Sequence, residues 1–380
     1  VARRCARVRA RGAGTLGVGG PRVQKPIITD PKQADVRYNV LERLLLPIMK
    51  DERDMIFVRT SAWITLTVWP IVIALFLSPS WFVGLAAVPY LAFVFIGFGG
   101  RYGLMLHATG HRTTYKRGWS WLDGYVPWVL GPLLGHTPTS FAAHHMFMHH
   151  VEGNLPADVS STLAYRRDDF LQFVHYWARF FFLGYVHLTR YLWLRGRTKV
   201  LVRFIVGELS WYAMVAAAAY VNWAAALVVF VIPMLLMRWL MMVGNFAQHA
   251  FVDVNDPANP FRNSTNLINA RYNHKAYNDG YHIVHHIKPS LPWTEMPGYF
   301  EEHIEEFAKQ GAIVFDGLGN NQRVWWLLMT KDYETLARHL VDFEGRTMEQ
   351  RVAFLQSRVR GTIGERPGLF QIEHLRAVPA

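Results

Sequence analysis

Forty-one consecutive residues, from Thr60 to Gly100, carry no charge, and nothing else in the chain restricts its fold so strongly. One bilayer crossing takes about 20 apolar residues. Arg59 and Arg101 bound the run and Ser78-Pro79-Ser80 interrupts it near the middle, so it predicts two helices joined by a tight turn. A second block runs from Phe204 to Met237 with Glu208 as its only charge, and continues past Arg238 to Gly244. Asn222 marks its turn. Trp63, Trp81, Trp211 and Trp223 stand near the expected ends, where interfacial aromatics gather. In lipid each backbone polar group must be satisfied within its own segment, which favours helices. The expected fold is an all-α membrane protein with four transmembrane helices in two hairpins.

Composition agrees with a chain only partly in lipid. Hydrophobic residues make up 51% and aromatics 14%, more than a soluble domain needs and less than an all-membrane chain would carry. The single cysteine, Cys5, rules out a disulfide framework or thiolate metal site within this sequence. A net charge of +12 favours anionic lipid headgroups or an acidic protein partner over nucleic acid, because the basic residues are dispersed and flank apolar segments.

Two hairpins place the segments that follow each of them, and the linker between them, on one side of the membrane. Four histidine clusters occupy these segments: His107 with His111; His144, His145, His149 and His150; His249; and His282, His285 and His286. If the second helix continues past the bilayer, His107 stands roughly 12 Å beyond Gly99, just outside the lipid. Arg190, Arg195, Arg197, Lys199 and Arg203 share that side, which the positive-inside rule makes cytoplasmic or its organellar equivalent. Phe170 to Trp193 reads as an interfacial helix or a partial span.

A His-x3-His spacing aligns two imidazoles one helical turn apart. A His-His doublet diverges by about 100° and cannot aim both rings at one ion from a regular helix. Doublets such as His149-His150 and His285-His286 therefore suit two adjacent metals. Oxygen-activating iron is the natural occupant of such a site, with dinuclear zinc as the rival; zinc pairs usually recruit a bridging carboxylate, and Glu152 is the acid close behind these doublets.

His-x3-His, His-x3-His-His and His-x2-His-His, in that order around two hairpins, resemble the three histidine boxes of the membrane fatty acid desaturase family. Asn245-Phe-Ala-Gln-His249 is similar to the Asn-x3-His element of its acyl-CoA branch. The third box also continues into a Pro-rich turn, Lys288-Pro-Ser-Leu-Pro. The resemblance covers about Thr60 to Pro297. It implies a centre of two iron ions with O2 as co-substrate, held by His107, His111, His145, His149, His150, His249, His282, His285 and His286, with Asn245 in support. His144 competes with His145 as the ligand, and spacing favours His145. His274 is either a supporting group or a surface histidine, while His136, His175, His187, His303, His339 and His374 have no matching context. Asp253, Asp256 and Asp279 are expected acceptors for imidazole N–H groups, and Trp121, Trp128, Phe141, Phe147, Trp239 and Phe246 are candidates to line a substrate tunnel.

The family's implied reaction is desaturation of an acyl chain on a membrane lipid or on acyl-CoA. Relatives that hydroxylate lipids or carotenoids share the boxes, and a non-catalytic metal-binding membrane subunit is a third reading. The His-Pro-Gly-Gly haem signature does not occur, so electrons are expected from a separate ferredoxin or cytochrome b5. Residues 1–26 hold six arginines and one lysine and no acidic residue, the pattern of an organellar targeting segment; a plastid membrane is the expected location, with endoplasmic reticulum as the alternative. The expected organisation is completed by a pre-membrane segment at 27–59, the membrane desaturase domain at 60–297, and a soluble helical cap at 298–380 with helices over Glu301–Lys309, Tyr333–Phe343 and Met348–Val359.

Overall fold

The computed structural model describes residues 25–371; the arginine-rich start of the chain, Cys5 and His374 lie outside them. The first charge-free run folds as two helices, α1 (Met55–Leu77) and α2 (Ser80–His111). Ser78 turns to extended backbone after α1, and Pro79, with φ locked by its ring, opens α2. Along α1 the residues Ile64, Val68 and Val72 are buried at four-residue intervals while Trp63 and Leu66 face outward. Leu85, Val88 and Ile96 of α2 are likewise exposed. An apolar exterior over two long helices is what a lipid-facing surface requires.

Among the described residues, three helices are long and apolar enough to cross a membrane: Glu52–Leu77, Ser80–His111 and Thr198–Gln248. Fifty-one residues make up the third, about twice what one crossing needs, and it breaks at Asn222, whose φ of −155° and ψ of 100° are not helical. The Asn222 carboxamide serves both sides of the break. Its oxygen accepts from the Ala225 N–H at 3.1 Å, capping the helix that follows. Its nitrogen donates to Ser78 O at 2.9 Å, at the end of α1. Residues on either side of Asn222 return to one segment: Thr137 meets Glu208 and Thr139 donates to Arg203 O, while a Cβ built on Gly135 would lie 2.1 Å from Pro233 O. The two halves of this helix therefore fold back on one another.

A helix over 140–152 carries the second histidine cluster. Phe170–Leu194 forms α4, capped by Asp169 at Gln172 N, and the broken Thr198–Gln248 helix is α5, the 140–152 helix being α3. Helix α6 (His282–Ile287) carries the third cluster.

Beyond α5 the chain is not purely helical. Strands β1 (Thr265–Ile268) and β2 (Ile313–Asp316) pair in parallel, Thr265 opposite Ile313. This pairing joins the loop before α6 to the C-terminal region, so both pack as one body around two apolar clusters. The expected helix at Glu301–Lys309 is two short helices, Met296–Glu302 and Ile304–Lys309. The expected Tyr333–Phe343 helix ends earlier, at His339, and Met348–Arg360 runs one residue past its expected end. Asn321–Met329 is a helix that periodicity did not mark. Arg167, fully buried, donates to the carbonyls of Thr162, Tyr165, Ala250, Arg358 and Gly361. It ties the loop after α3 to the end of α5 and to the C-terminal helix, and satisfies backbone groups no regular element pairs.

Candidate metal centre

Each histidine cluster lies at the end of an element that the fold brings to one point. α2 delivers His107 and His111 from consecutive turns. α3 holds a π-helical turn over His145–His149, the kind of one-residue expansion common at functional sites. The wider turn aligns His145 with His150, five residues on, and their Nε2 atoms lie 3.0 Å apart. In the regular helix α6 the aligned pair is instead His282 and His286, four apart, with Nε2 atoms at 3.1 Å.

Nine imidazoles meet in two adjacent groups. His107, His111, His145, His150 and His285 form one, and His149, His249, His282 and His286 the other; within each group the offered nitrogens lie within 4.8 Å of one another. His285 Nε2 is 2.8 Å from His107 Nε2 and 2.9 Å from His150 Nε2, and His282 Nε2 is 3.4 Å from His249 Nε2. The groups share a wall where the rings of His150 and His286 stack at 4.7 Å. The His149-His150 and His285-His286 doublets are each split, one ring to each group, as a 100° divergence requires.

The outward nitrogens decide where the inward lone pairs point. His249 Nδ1 faces the carbonyl and side-chain oxygens of Asn263, both at 2.9 Å. A carbonyl only accepts, so Nδ1 carries the proton and Nε2 presents a lone pair to the group. His149 Nδ1 lies 2.6 Å from Asp158 and His107 Nδ1 3.1 Å from Asp279, with the same effect. His111 Nε2 and His149 Nε2 are buried without a hydrogen-bond partner among the described residues. Clustered, inward-facing basic nitrogens that satisfy nothing else are the donor set of a metal, and this one fits two ions. Among the described residues neither group includes a carboxylate.

Burial favours the neutral form of His111, His145, His150, His249, His282, His285 and His286, the state a metal ligand needs. Burial and the neighbouring His149 push His249 down to about 3. Burial and the surrounding imidazoles hold His145, His282, His285 and His286 well below the usual histidine range. Burial would raise the Asp158 carboxyl, but the field of His149, the hydrogen bond from its Nδ1 and the nearby His144 outweigh it and hold the group well below the carboxylate range.

Other sequence candidates settle as follows. His144 is outside both groups, its Nε2 3.6 Å from Asp158. Asn245 lines the adjoining cavity and donates to Tyr176 Oη at 2.7 Å and Ser160 O at 3.1 Å. His274 is exposed on the surface. Of the three aspartates expected behind the rings only Asp279 is there. Asp253 pairs with Arg358 and Arg262, and Asp256 lies near Arg262. Asp158 and Asn263 take the expected role instead, and their distance in sequence from the rings they hold, nine residues and fourteen, left no local pattern to find. Glu152 binds Tyr191 and Arg195 rather than a ring.

A cavity of about 570 Å³ runs past His107, His145, His149 and His282, within the range of small-molecule sites. Phe95, Leu104, Phe141, Phe180, Leu188, Phe204 and Met241 supply its apolar wall. Only Phe141 of the six aromatics proposed for that wall is in it, stacked on His145 at 4.9 Å. Trp239 and Phe246 pack against Phe173 instead, Phe147 lies under Arg197, and Trp121 and Trp128 are exposed.

Apolar helices long enough to span a bilayer, a paired histidine site able to hold metal and an adjoining apolar cavity mark the class, a membrane-type protein built around histidine groups. The family model for fatty acid desaturases matches residues 79–317, more than half of the chain, and the protein belongs to that family, an oxidoreductase family with di-iron sites and lipid substrates. No curated protein and no solved structure matches the chain.

Proposed function

We propose that the protein is a membrane-bound di-iron desaturase that introduces a double bond into an acyl chain. The observation that carries this reading is the pair of all-histidine groups opening onto an apolar cavity. Hydrolytic zinc pairs use a bridging carboxylate, and the absence of one among these nine donors supports oxidative chemistry. His107, His111, His145, His150 and His285 would hold one iron, and His149, His249, His282 and His286 the other. Bound iron supplies the activation of O2, with two external electrons, that removal of two hydrogens from unactivated methylenes demands. The chain's own part is positional. Asp158, Asp279 and Asn263 fix the imidazoles. Phe141 and the other wall residues hold an alkyl chain against the rings and exclude water.

Four crossings are proposed, α1, α2 and the two halves of α5, which puts all nine histidines on one face. The net charge of +12 suits an acidic external carrier such as ferredoxin or cytochrome b5. The test is mass spectrometry of total lipids from a host expressing the chain with a ferredoxin system, beside a His285→Ala control. Loss of 2 Da from an acyl chain only with the intact protein is the expected result. Gain of 16 Da would replace desaturase by hydroxylase, and an unchanged lipid profile with no bound iron would overturn the catalytic reading.

A further inference from the structure

Among the described residues, Arg238 is a charge without a counter-charge. It lies 16 residues after Asn222, about 24 Å along the helix, which on the four-crossing reading puts it near the edge of the roughly 30 Å hydrocarbon layer on the histidine side. Most of its side chain is covered, and among the described residues its guanidinium makes no hydrogen bond or ion pair. It lies over the ring of Tyr185 at 4.5 Å and near that of Phe181 at 5.6 Å, and it lines the same cavity as the histidines. Aromatic faces offset only part of the cost of removing a guanidinium from water. Five N–H donors in a planar fork also match a carboxylate or phosphate far better than a ring face.

A second polar group lines the same cavity. His136 lines the cavity, is 9% exposed, and among the described residues its Nε2 has no hydrogen-bond partner. It sits within the electrostatic reach of Arg238, and its ring lies 5.8 Å from Phe141, which in turn stacks on His145. A largely covered cation and a buried nitrogen thus border the apolar cavity that also passes the candidate metal centre. The other basic residues of its lining, Arg101 and Lys275, are exposed and lose little by facing solvent.

We propose that Arg238, with His136, binds the anionic group of the substrate, a carboxylate or phosphate, so that the attached acyl chain lies along the apolar wall past His145. This rests on the acyl-chain reading above and narrows it to anion-headed substrates. The test measures binding, not turnover. Purified full-length, metal-loaded protein in neutral detergent is titrated with oleate, oleoyl lysophosphatidate and oleyl alcohol. The intact protein is expected to bind at least one of the anions about tenfold more tightly than the alcohol, equivalent to about 1.4 kcal/mol. Arg238→Gln should erase the difference, Arg238→Lys should keep most of it, and Arg203→Gln, an exposed arginine on the same helix, should leave it unchanged. Retained metal content and thermal midpoint show that each variant is folded; if Arg238→Gln does not fold, a preference kept by Arg238→Lys but weakened in His136→Phe supports the site. Stronger binding of oleate assigns a carboxylate, and stronger binding of lysophosphatidate assigns a phosphate head group. An intact protein indifferent to head-group charge, or a preference that survives Arg238→Gln, would overturn the proposal. A chain that shows the preference but oxidises no lipid and takes up no iron would leave this site standing and overturn the desaturase reading instead.

Discussion

The two histidine groups use the same side chain nine times but hold it differently. In the four-histidine group two rings are anchored from behind by buried partners: His149 by Asp158, which also accepts from Ser160 N–H, and His249 by Asn263. In the five-histidine group the anchor is Asp279 behind His107, itself engaged by Tyr272 and Gln248, and His111 and His150 are only partly buried. One group has fewer donors on firmer supports; the other has a donor more and stands closer to water. Rigidity and ligand number are alternative ways to retain a metal, because affinity depends on both the donors and the ordering cost they have already met.

Removing a ligand separates these two strategies most sharply. His249→Ala leaves three donors in its group and is expected to lower bound iron from two per chain to one and activity to background. His111→Ala leaves four and is expected to retain most of the metal in its group. Iron per chain by elemental mass spectrometry decides it, and equal loss in both variants would end the contrast.

Next in size are the anchors. Asp158→Asn keeps the shape but removes the charge behind His149, and a 10- to 100-fold weaker hold on the metal of that group is expected, on the order seen for such supports. Asp279→Asn should cost the other group less, because four further rings share the load. Competition with a chelator during metal titration checks both.

Acid should strip and destabilise the protein. Unfolded histidine titrates near 6.5, whereas His249 in the fold is pushed down to about 3. Between those values the unfolded chain binds the extra proton, so stability rises with pH across this window. The contribution is full above about 6.5 and is lost as pH falls toward 3, by up to about 1.4 kcal/mol per unit for each such ring. Thermal unfolding of the metal-free protein at pH 7.5 and pH 5.5 should show the lower midpoint in acid. A midpoint that rises on acidification would contradict neutral, buried rings.

The smallest effect lies far from the metals. Asn222→Ala removes the cap at Ala225 and the bond to Ser78 O, and a loss of about 1–2 kcal/mol is expected, with iron content unchanged. Denaturant unfolding in detergent measures it.

Much of this architecture was legible in the chain because its causes are local. A long charge-free run has few alternatives to a lipid-facing helix, and Ser78-Pro79-Ser80 ends α1 through backbone geometry alone. Asn222 was readable as a turn, being a polar break in an apolar block. The nine histidines stood out by spacing, and the fold brings all nine together. What spacing could not say is which ring serves which group. His145 pairs with His150 because α3 widens into a π-helical turn, while His282 pairs with His286 because α6 does not.

Partners at long range were also hidden. Asn263 reaches His249 across a loop, Asp279 reaches His107 across 172 residues, and β1 finds β2 from the far side of α6. The cavity wall was misread for the same reason: an aromatic near a histidine in sequence can point to either side of its helix, and Trp239 and Phe246 point away. Sequence alone determined which segments avoid water and which side chains are able to hold metal, since both are properties of residues and their near neighbours. Tertiary structure alone decided how the nine rings divide into two groups, what stands behind them, and that Arg238 and His136 face the same cavity, because each of these depends on contacts between elements that the chain brings together only when it folds.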